Sequence, residues 1–262
     1  CGNCPACRFI RQASYFQRAL VESLYSYVYF ATLTYNNESI THAELQGEDF
    51  TVAPFSDIQL LNKRLRNNNP FDGRNFKYFA VREYGKRTGR AHWHLLYFVP
   101  KSDSDDMTLP YHFEKTLESA LLLYHSNNIG SDSEPVYKSC FTDIKRYAGG
   151  KCFRPFDCQY IDTNKSVLPL FYVLKYLSKD SALYKKIKLL ASQEFEDHPE
   201  TSLQKILNDF KPKAWKSIYF GIPRDSEGID LAKPIVEKSL AMSVSSGACF
   251  PSFFLEDVSL PL

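Results

Sequence analysis

Residues 76–84, FKYFAVREY, and 91–99, AHWHLLYFV, are two runs of aromatic and β-branched residues joined by the glycine-bracketed segment GKRTGR. Such runs on either side of a short loop are expected to pair as a β-hairpin. A hairpin dictates which side chains lie together, because residues two apart on a strand share a face. His92 and His94 therefore point one way, and Trp93, Leu95 and Tyr97 point the other. If Tyr84 pairs with Ala91 across the loop, Glu83 stands opposite His92 and on the same face. Only six histidines occur in 262 residues, and two of them meet a carboxylate here.

Two imidazoles and a carboxylate on a rigid strand pair suit a divalent ion with open positions for water and substrate oxygens. A carboxylate in the set favours Mg2+ or Mn2+ over a closed structural zinc. The competing reading is a chance pair of histidines on a half-exposed strand. Between Lys77 and Arg90 the basic residues are Lys77, Arg82, Lys86, Arg87 and Arg90, against Glu83 as the one acid. Lys86, Arg87 and Arg90 in the loop are candidate contacts to a DNA phosphate backbone. A solvated hairpin tip accounts for them as well.

Around the hairpin, helix and strand signals alternate. Residues 8–26 suit a helix, and YVYFATLTY (27–35) is a strand followed by turn-forming NNE. Residues 56–69 open on a Ser/Asp cap and place Ile58, Leu61 and Leu65 at helical spacing. A helix over 110–127, a strand over 136–147 and a loop over 148–166 are expected next. A helix over 168–196 follows, breaking near Asp180, then a helix over 201–210, a strand over 214–222 and a weakly patterned tail. This order predicts an α+β fold, a central antiparallel sheet flanked by helices.

The segment FYVLKYLSK (171–179) repeats a Tyr-x-x-Lys unit, Tyr172 with Lys175 and Tyr176 with Lys179. Residues four apart share a helix face, so both hydroxyls reach one site while Leu170, Leu174 and Leu177 bury the opposite side. A phenol is a weak nucleophile near its ordinary pKa of about 10 and needs a neighbouring cation or an activated electrophile. Each lysine supplies positive charge or holds a phosphate. Two amphipathic core tyrosines are the structural alternative. Taken jointly, the metal triad, the basic loop and the tyrosine helix describe metal-assisted attack of a tyrosine on a DNA phosphodiester.

Net charge is only +2, so a nucleic-acid partner must be met by a local patch. No stretch of about 18 uncharged apolar residues is present, and no charged start precedes an apolar core. Neither a membrane partner nor a signal peptide is expected. Seven unevenly placed cysteines fit a reducing cytoplasm. Cys1, Cys4 and Cys7 could hold a structural Zn2+ with a fourth ligand from Cys140, Cys152, Cys158 or a histidine, or be ordinary thiols.

Four stretches together resemble the HUH endonuclease superfamily, and more narrowly the replication initiation proteins of microviruses, small bacteriophages with single-stranded DNA genomes. FATLTY (30–35) is similar to the family's first-motif strand, and REYGKRTGRAHWHLLYF (82–98) to its Glu-Tyr-Gly hairpin and His-hydrophobic-His motif. YVLKYLSK (172–179) resembles its two-tyrosine helix, and CGNCPACR (1–8) the cysteine-rich start of these phage proteins. The resemblance implies an endonuclease domain over 1–180, with a Cys-rich segment and helix at 1–26. A C-terminal extension follows over 181–262, helical then irregular. It implies a sheet like that of the RNA-recognition fold, with the histidines on a central strand and the tyrosine helix across that face. The implied reaction nicks single-stranded origin DNA, in a hairpin or melted origin, to leave a 5′-phosphotyrosine and a free 3′-hydroxyl. The host replication machinery extends that end in rolling-circle replication, in the cytoplasm of a bacterium, and the second tyrosine later rejoins the strand. Which tyrosine cuts first is left open. No G-x-x-x-x-G-K-[ST] loop occurs, in keeping with chemistry that consumes no ATP. An HUH transposase or relaxase is the alternative within the superfamily. A sheet that binds single strands by stacking, without cutting, is the alternative outside it.

Overall fold

The computed structural model describes residues 5–36, 39–67, 75–85, 89–102, 109–121, 123–124, 137–138, 140–141, 156–174, 176–179, 181–197, 207–208, 210, 213–223, 226, 229–230, 232–234 and 237. Helix α1 is described over Pro5–Leu24. Strand β1 (Ser26–Thr34) leads to a small hairpin of β2 (Thr41–Leu45) and β3 (Glu48–Val52). Helix α2 (Phe55–Asn67) buries Ile58, Leu61 and Leu65, as their spacing predicts. Strands β4 (Lys77–Tyr84) and β5 (Ala91–Pro100) form the expected hairpin, followed by helix α3 (Leu109–Leu121). Two short strands, β6 (Leu123–Tyr124) and β7 (Tyr137–Lys138), pair with each other. Strand β8 (Asp157–Ile161) precedes helices α4 (Leu168–Leu174), α5 (Tyr176–Lys179) and α6 (Ser181–Asp197), and β9 (Ala214–Lys216) comes last.

The main sheet runs β8-β1-β5-β4-β9 with every pair antiparallel. The fold is therefore α+β with helices flanking a five-stranded antiparallel sheet, and the histidine strand lies at its centre. One face carries Leu33, Trp93, Leu95 and Tyr97 and is covered by α2, α3 and α6 through Leu61, Phe113 and Ile187. The other carries Val28, Val81, Leu96 and Phe98 and is covered by α1, α4 and α5 through Ala19, Leu170 and Leu177. Burial on both faces explains why β4 and β5 read as nearly continuous apolar runs. Arg82 is buried as well: its guanidinium lies 5.2 Å from the Trp215 ring and donates to the Ala53 carbonyl at 2.9 Å. It ties β9 to the sheet, so the segment beyond residue 180 supplies both an edge strand and, in α6, part of the core.

Several local expectations need correction. The β2–β3 hairpin was not anticipated, because its strands are short and polar and each carries only two alternating apolar residues, Ala43 and Leu45 in one and Phe50 and Val52 in the other. Its signal is the two-residue turn Gln46-Gly47, both at positive φ (51° and 73°) as a tight hairpin requires. The helix predicted over 110–127 stops at Leu121, because Leu123 and Tyr124 join a strand ladder. Of the strand predicted over 136–147, only Tyr137–Lys138 and an isolated bridge from Phe141 to Tyr35 are found; residues 142–155 lie outside the described set. The loop predicted over 148–166 contains the edge strand β8, whose exposed residues carry no alternation. The strand predicted over 214–222 ends at Lys216, since Tyr219 and Gly221 turn at positive φ. The helix predicted over 201–210 falls largely outside the described residues.

A buried polar knot anchors α1 beside the sheet. Glu22, 1% exposed, accepts from Lys77 Nζ at 2.8 Å and from the Gly221 amide at 3.0 Å, and Lys77 also donates to the Tyr219 carbonyl at 2.9 Å. Gly221 has φ +69°, and a Cβ there would lie 2.4 Å from the Arg18 backbone. Gly221→Ala should therefore cost about 3 kcal/mol or more in chemical denaturation, from left-handed strain plus overpacking. Gly47→Ala, with open space around its Cβ, should cost about 1–2 kcal/mol. Equal losses at the two sites would refute the close approach of α1 and the turn.

Candidate active site

Strand pairing assembles the polar patch. Glu83 is registered with His92 and Tyr84 with Ala91, as the hairpin predicts. On the other side of β5, Thr34 is registered with His92 and Thr32 with His94. By the alternation of each strand, Thr32, Thr34, Glu83, His92 and His94 share the sheet face beneath α4 and α5. Glu83, His94 and Thr34 are buried and His92 is half-buried.

Each imidazole has a threonine partner. His92 Nδ1 lies 2.8 Å from Thr34 Oγ1, and His94 Nδ1 lies 3.2 Å from Thr32 Oγ1. His94 Nε2 is 2.7 Å from Glu83 Oε2. A carboxylate only accepts, so Nε2 carries the proton in this pair, and in a neutral ring Nδ1 accepts from the Thr32 hydroxyl. Glu83 and His94 are thus in direct contact, with His92 beside them in the register. Among the described residues, no three His, Cys, Asp or Glu side chains are arranged to hold a metal ion. The donor set of two imidazoles and a carboxylate nonetheless has the chemistry for a divalent ion, with both Nδ1 atoms already engaged.

The tyrosine helix lies across this patch. Leu170, Val173, Leu174 and Leu177 are buried, and they turn Tyr172 and Tyr176 toward the histidines. The Tyr176 ring stacks on His94 with centroids 4.1 Å apart and planes 9° from parallel. Phe30 on β1 lies 5.9 Å from the same imidazole at 16°. Tyr172 meets Tyr176 edge-on at 5.2 Å and Phe30 at 6.1 Å. The two phenols differ in exposure: Tyr172 is 44% exposed and Tyr176 4%. Burial, a hydrogen bond with Tyr172 and the Glu83 charge push the Tyr176 hydroxyl well above the ordinary phenol range.

Other candidates have different placements. Arg90 donates to the Tyr35 carbonyl at 2.8 Å, and Lys77 and Arg82 serve the packing already described. Lys86, Arg87, Lys175, Cys1 and Cys4 lie outside the described residues, as does the Lys179 side chain. Burial pushes the Cys140 thiol up to about 11. A cavity of about 420 Å³ lies on the opposite sheet face, among Phe50, Tyr84, Arg90 and Phe210, away from the stacked His94 and Tyr176. The sequence reading missed Thr32, Thr34 and Phe30. The two threonines carried a signal, since T-x-T on β1 has the same two-residue period as H-x-H.

If the Tyr176 ring is a packed cover over His94, Tyr176→Ala should cost about 3 kcal/mol in urea denaturation. The more exposed Tyr172→Ala should cost about 1 kcal/mol or less. A reversed order would contradict the stacking.

The sequence profile of the replication-associated protein ORF2/G2P family matches residues 28–181, more than half of the chain. The chain is 32% identical over 80 residues to the replication-associated protein ORF4 of Chlamydia phage 1, covering 30% of this chain and 18% of that protein. It is 35% identical over 105 residues to the replication-associated protein VP4 of Bdellovibrio phage phiMH2K, covering 39% of this chain and 32% of that protein. The chain thus aligns with less than a third of either relative's length. No solved structure matches. With the hairpin and the tyrosine helix inside the matched span, the chain belongs to the replication-associated protein ORF2/G2P family.

Proposed function

We propose that this chain starts rolling-circle replication by nicking single-stranded origin DNA with a tyrosine, as a member of the HUH endonuclease superfamily. The observation that carries this reading is the stack of Tyr176 on His94, itself bonded to Glu83, which brings the tyrosine helix onto the histidine patch. A divalent ion such as Mg2+ or Mn2+, held by Glu83, His92 and His94, would polarise the scissile phosphate. Similarity to phage replication-associated proteins supports action in a bacterial host cell, where a polymerase of the host would extend the released end.

The residues then divide the work. Tyr172, exposed above the patch, is the phenol open to an incoming strand. Its oxygen attacks phosphorus, the bond from phosphorus to the 3′ oxygen breaks, and the phenol proton ends on the departing 3′-hydroxyl directly or through water. One phosphodiester replaces another, so no nucleotide is hydrolysed. Tyr176, four residues along the same segment, is placed to take the second transfer that rejoins the strand once its ring leaves His94. By sequence, Lys175 and Lys179 would add positive charge for the phosphates, and the loop residues Lys86, Arg87 and Arg90 further contacts to the DNA backbone.

The test is incubation of the full chain with a labelled single-stranded origin oligonucleotide and Mn2+, read on a denaturing gel. Wild type should give a protein-linked band. Tyr172→Phe should lower its first appearance by at least about 100-fold and Tyr176→Phe by less than about 10-fold. His94→Ala should abolish the band while DNA binding persists. A wild type that binds its origin tightly but never links to it would instead be a single-strand binder.

A further inference from the structure

We propose that Thr32 and Thr34 are positioning residues: their hydroxyls hold the His94 and His92 rings by Nδ1, so that the Nε2 edges stay turned toward substrate. This role rests on the metal-assisted nicking reading and assigns a task to β1 that the nicking chemistry leaves without one. Three observations carry it. Thr32 and Thr34 are each directly registered with a histidine, Thr32 with His94 and Thr34 with His92. Each hydroxyl lies at hydrogen-bond distance from Nδ1 of its partner, 3.2 and 2.8 Å. Both contacts lie on β1 and β5, two central strands of the sheet, so the orientation is set by strand register rather than by a loop.

The choice of a hydroxyl has its own chemistry. While Glu83 accepts from Nε2 of His94, Nδ1 of the neutral ring needs a donor, and the Thr32 O–H supplies one. When Nε2 has to offer its lone pair to an ion, the ring must carry its proton on Nδ1, and the partner there must accept. A carboxylate could serve only the second state and an ammonium only the first. A hydroxyl serves both by rotating about its C–O bond. Thr32 therefore lets His94 pass from Glu83 to an ion without leaving a buried ring nitrogen unpaired, a change that would otherwise carry the full penalty of an unsatisfied polar group. Thr34 does the same for His92, whose other nitrogen faces a less buried setting.

The variants are Thr32→Val and Thr34→Val, which keep the branched strand-forming shape and delete the hydroxyl, with Thr32→Ser and Thr34→Ser as rescues. Two readouts are needed. In metal-free, 15N-histidine-labelled full chain, each Val variant should shift the ring-nitrogen signals of its own partner histidine toward a different tautomer mixture, and each Ser variant should restore them. In a Mn2+ titration followed by electron paramagnetic resonance, each Val variant should bind about 10–100-fold more weakly, with the Ser variant within about threefold of wild type. If wild type binds Mn2+ and both Val variants bind it equally well, the positioning role is overturned and the metal site stands. If wild type binds no Mn2+, or His92→Ala leaves binding unchanged, the metal reading fails. The positioning role then falls as well if the Val variants leave the 15N signals where they were. Val variants that weaken binding but are not rescued by Ser also overturn it, because a merely structural defect would then explain the loss.

Discussion

The register of β5 between β1 and β4 is the constraint from which the rest of this structure follows. Side chains on a strand alternate faces with a period of two, so a slip by one residue would turn His92 and His94 toward α2 and α3 and Trp93 toward the tyrosine helix. That slip is blocked energetically by Trp93, Leu95 and Tyr97, all fully buried on the opposite face. Trp93 also donates from Nε1 to Tyr35 Oη at 3.1 Å, and Tyr35 in turn donates to Asp57 at 2.8 Å, which links the strand to α2. Apolar packing on one face therefore decides the chemistry available on the other. Once the register is set, Thr32, Thr34 and Glu83 are carried to the histidines by pairing alone.

The cover over that face is placed by equally ordinary forces. Leucines and Val173 on α4 and α5 sit in the same cluster as Leu96 and Phe98, which leaves the tyrosines over the polar end of the sheet. Helix α1 closes the cluster beside them, and Gln12 donates to the Leu174 carbonyl at 3.2 Å. Tyr176 lies flat on His94, while Tyr172, which meets Phe30 and Tyr176 edge-on, stays partly exposed. Two tyrosines in the same local sequence setting thereby acquire different environments.

Much of this was legible in the residues, for identifiable reasons. The β4–β5 pairing and the place of Glu83 followed from loop length and period, and the burial of Ile58, Leu61 and Leu65 followed from helical spacing. Strand β8 escaped because an exposed edge strand carries no apolar alternation, and the β2–β3 hairpin because each of its strands alternates over only two apolar residues; their cause is pairing with a neighbour, a non-local fact. Lys77 and Arg82 looked like part of a phosphate-binding cluster. Their roles depend on Glu22 and Trp215, more than fifty and a hundred residues away in sequence, and no local pattern announces such partners. The difference between Tyr172 and Tyr176 was invisible for the same reason, since it arises from which ring meets the sheet.

Membership of the replication-associated protein family and the stacking of Tyr176 on His94 both support the proposed phosphate-transfer site. The proposed reaction requires Glu83, His92 and His94 to act together on one ion. The most direct measurement is anomalous X-ray scattering from crystals of nicking-competent full chain grown with Mn2+. A single manganese peak about 2.0–2.2 Å from donor atoms of all three residues is the predicted result. A peak elsewhere in a protein that still nicks DNA, or none at all, would contradict it.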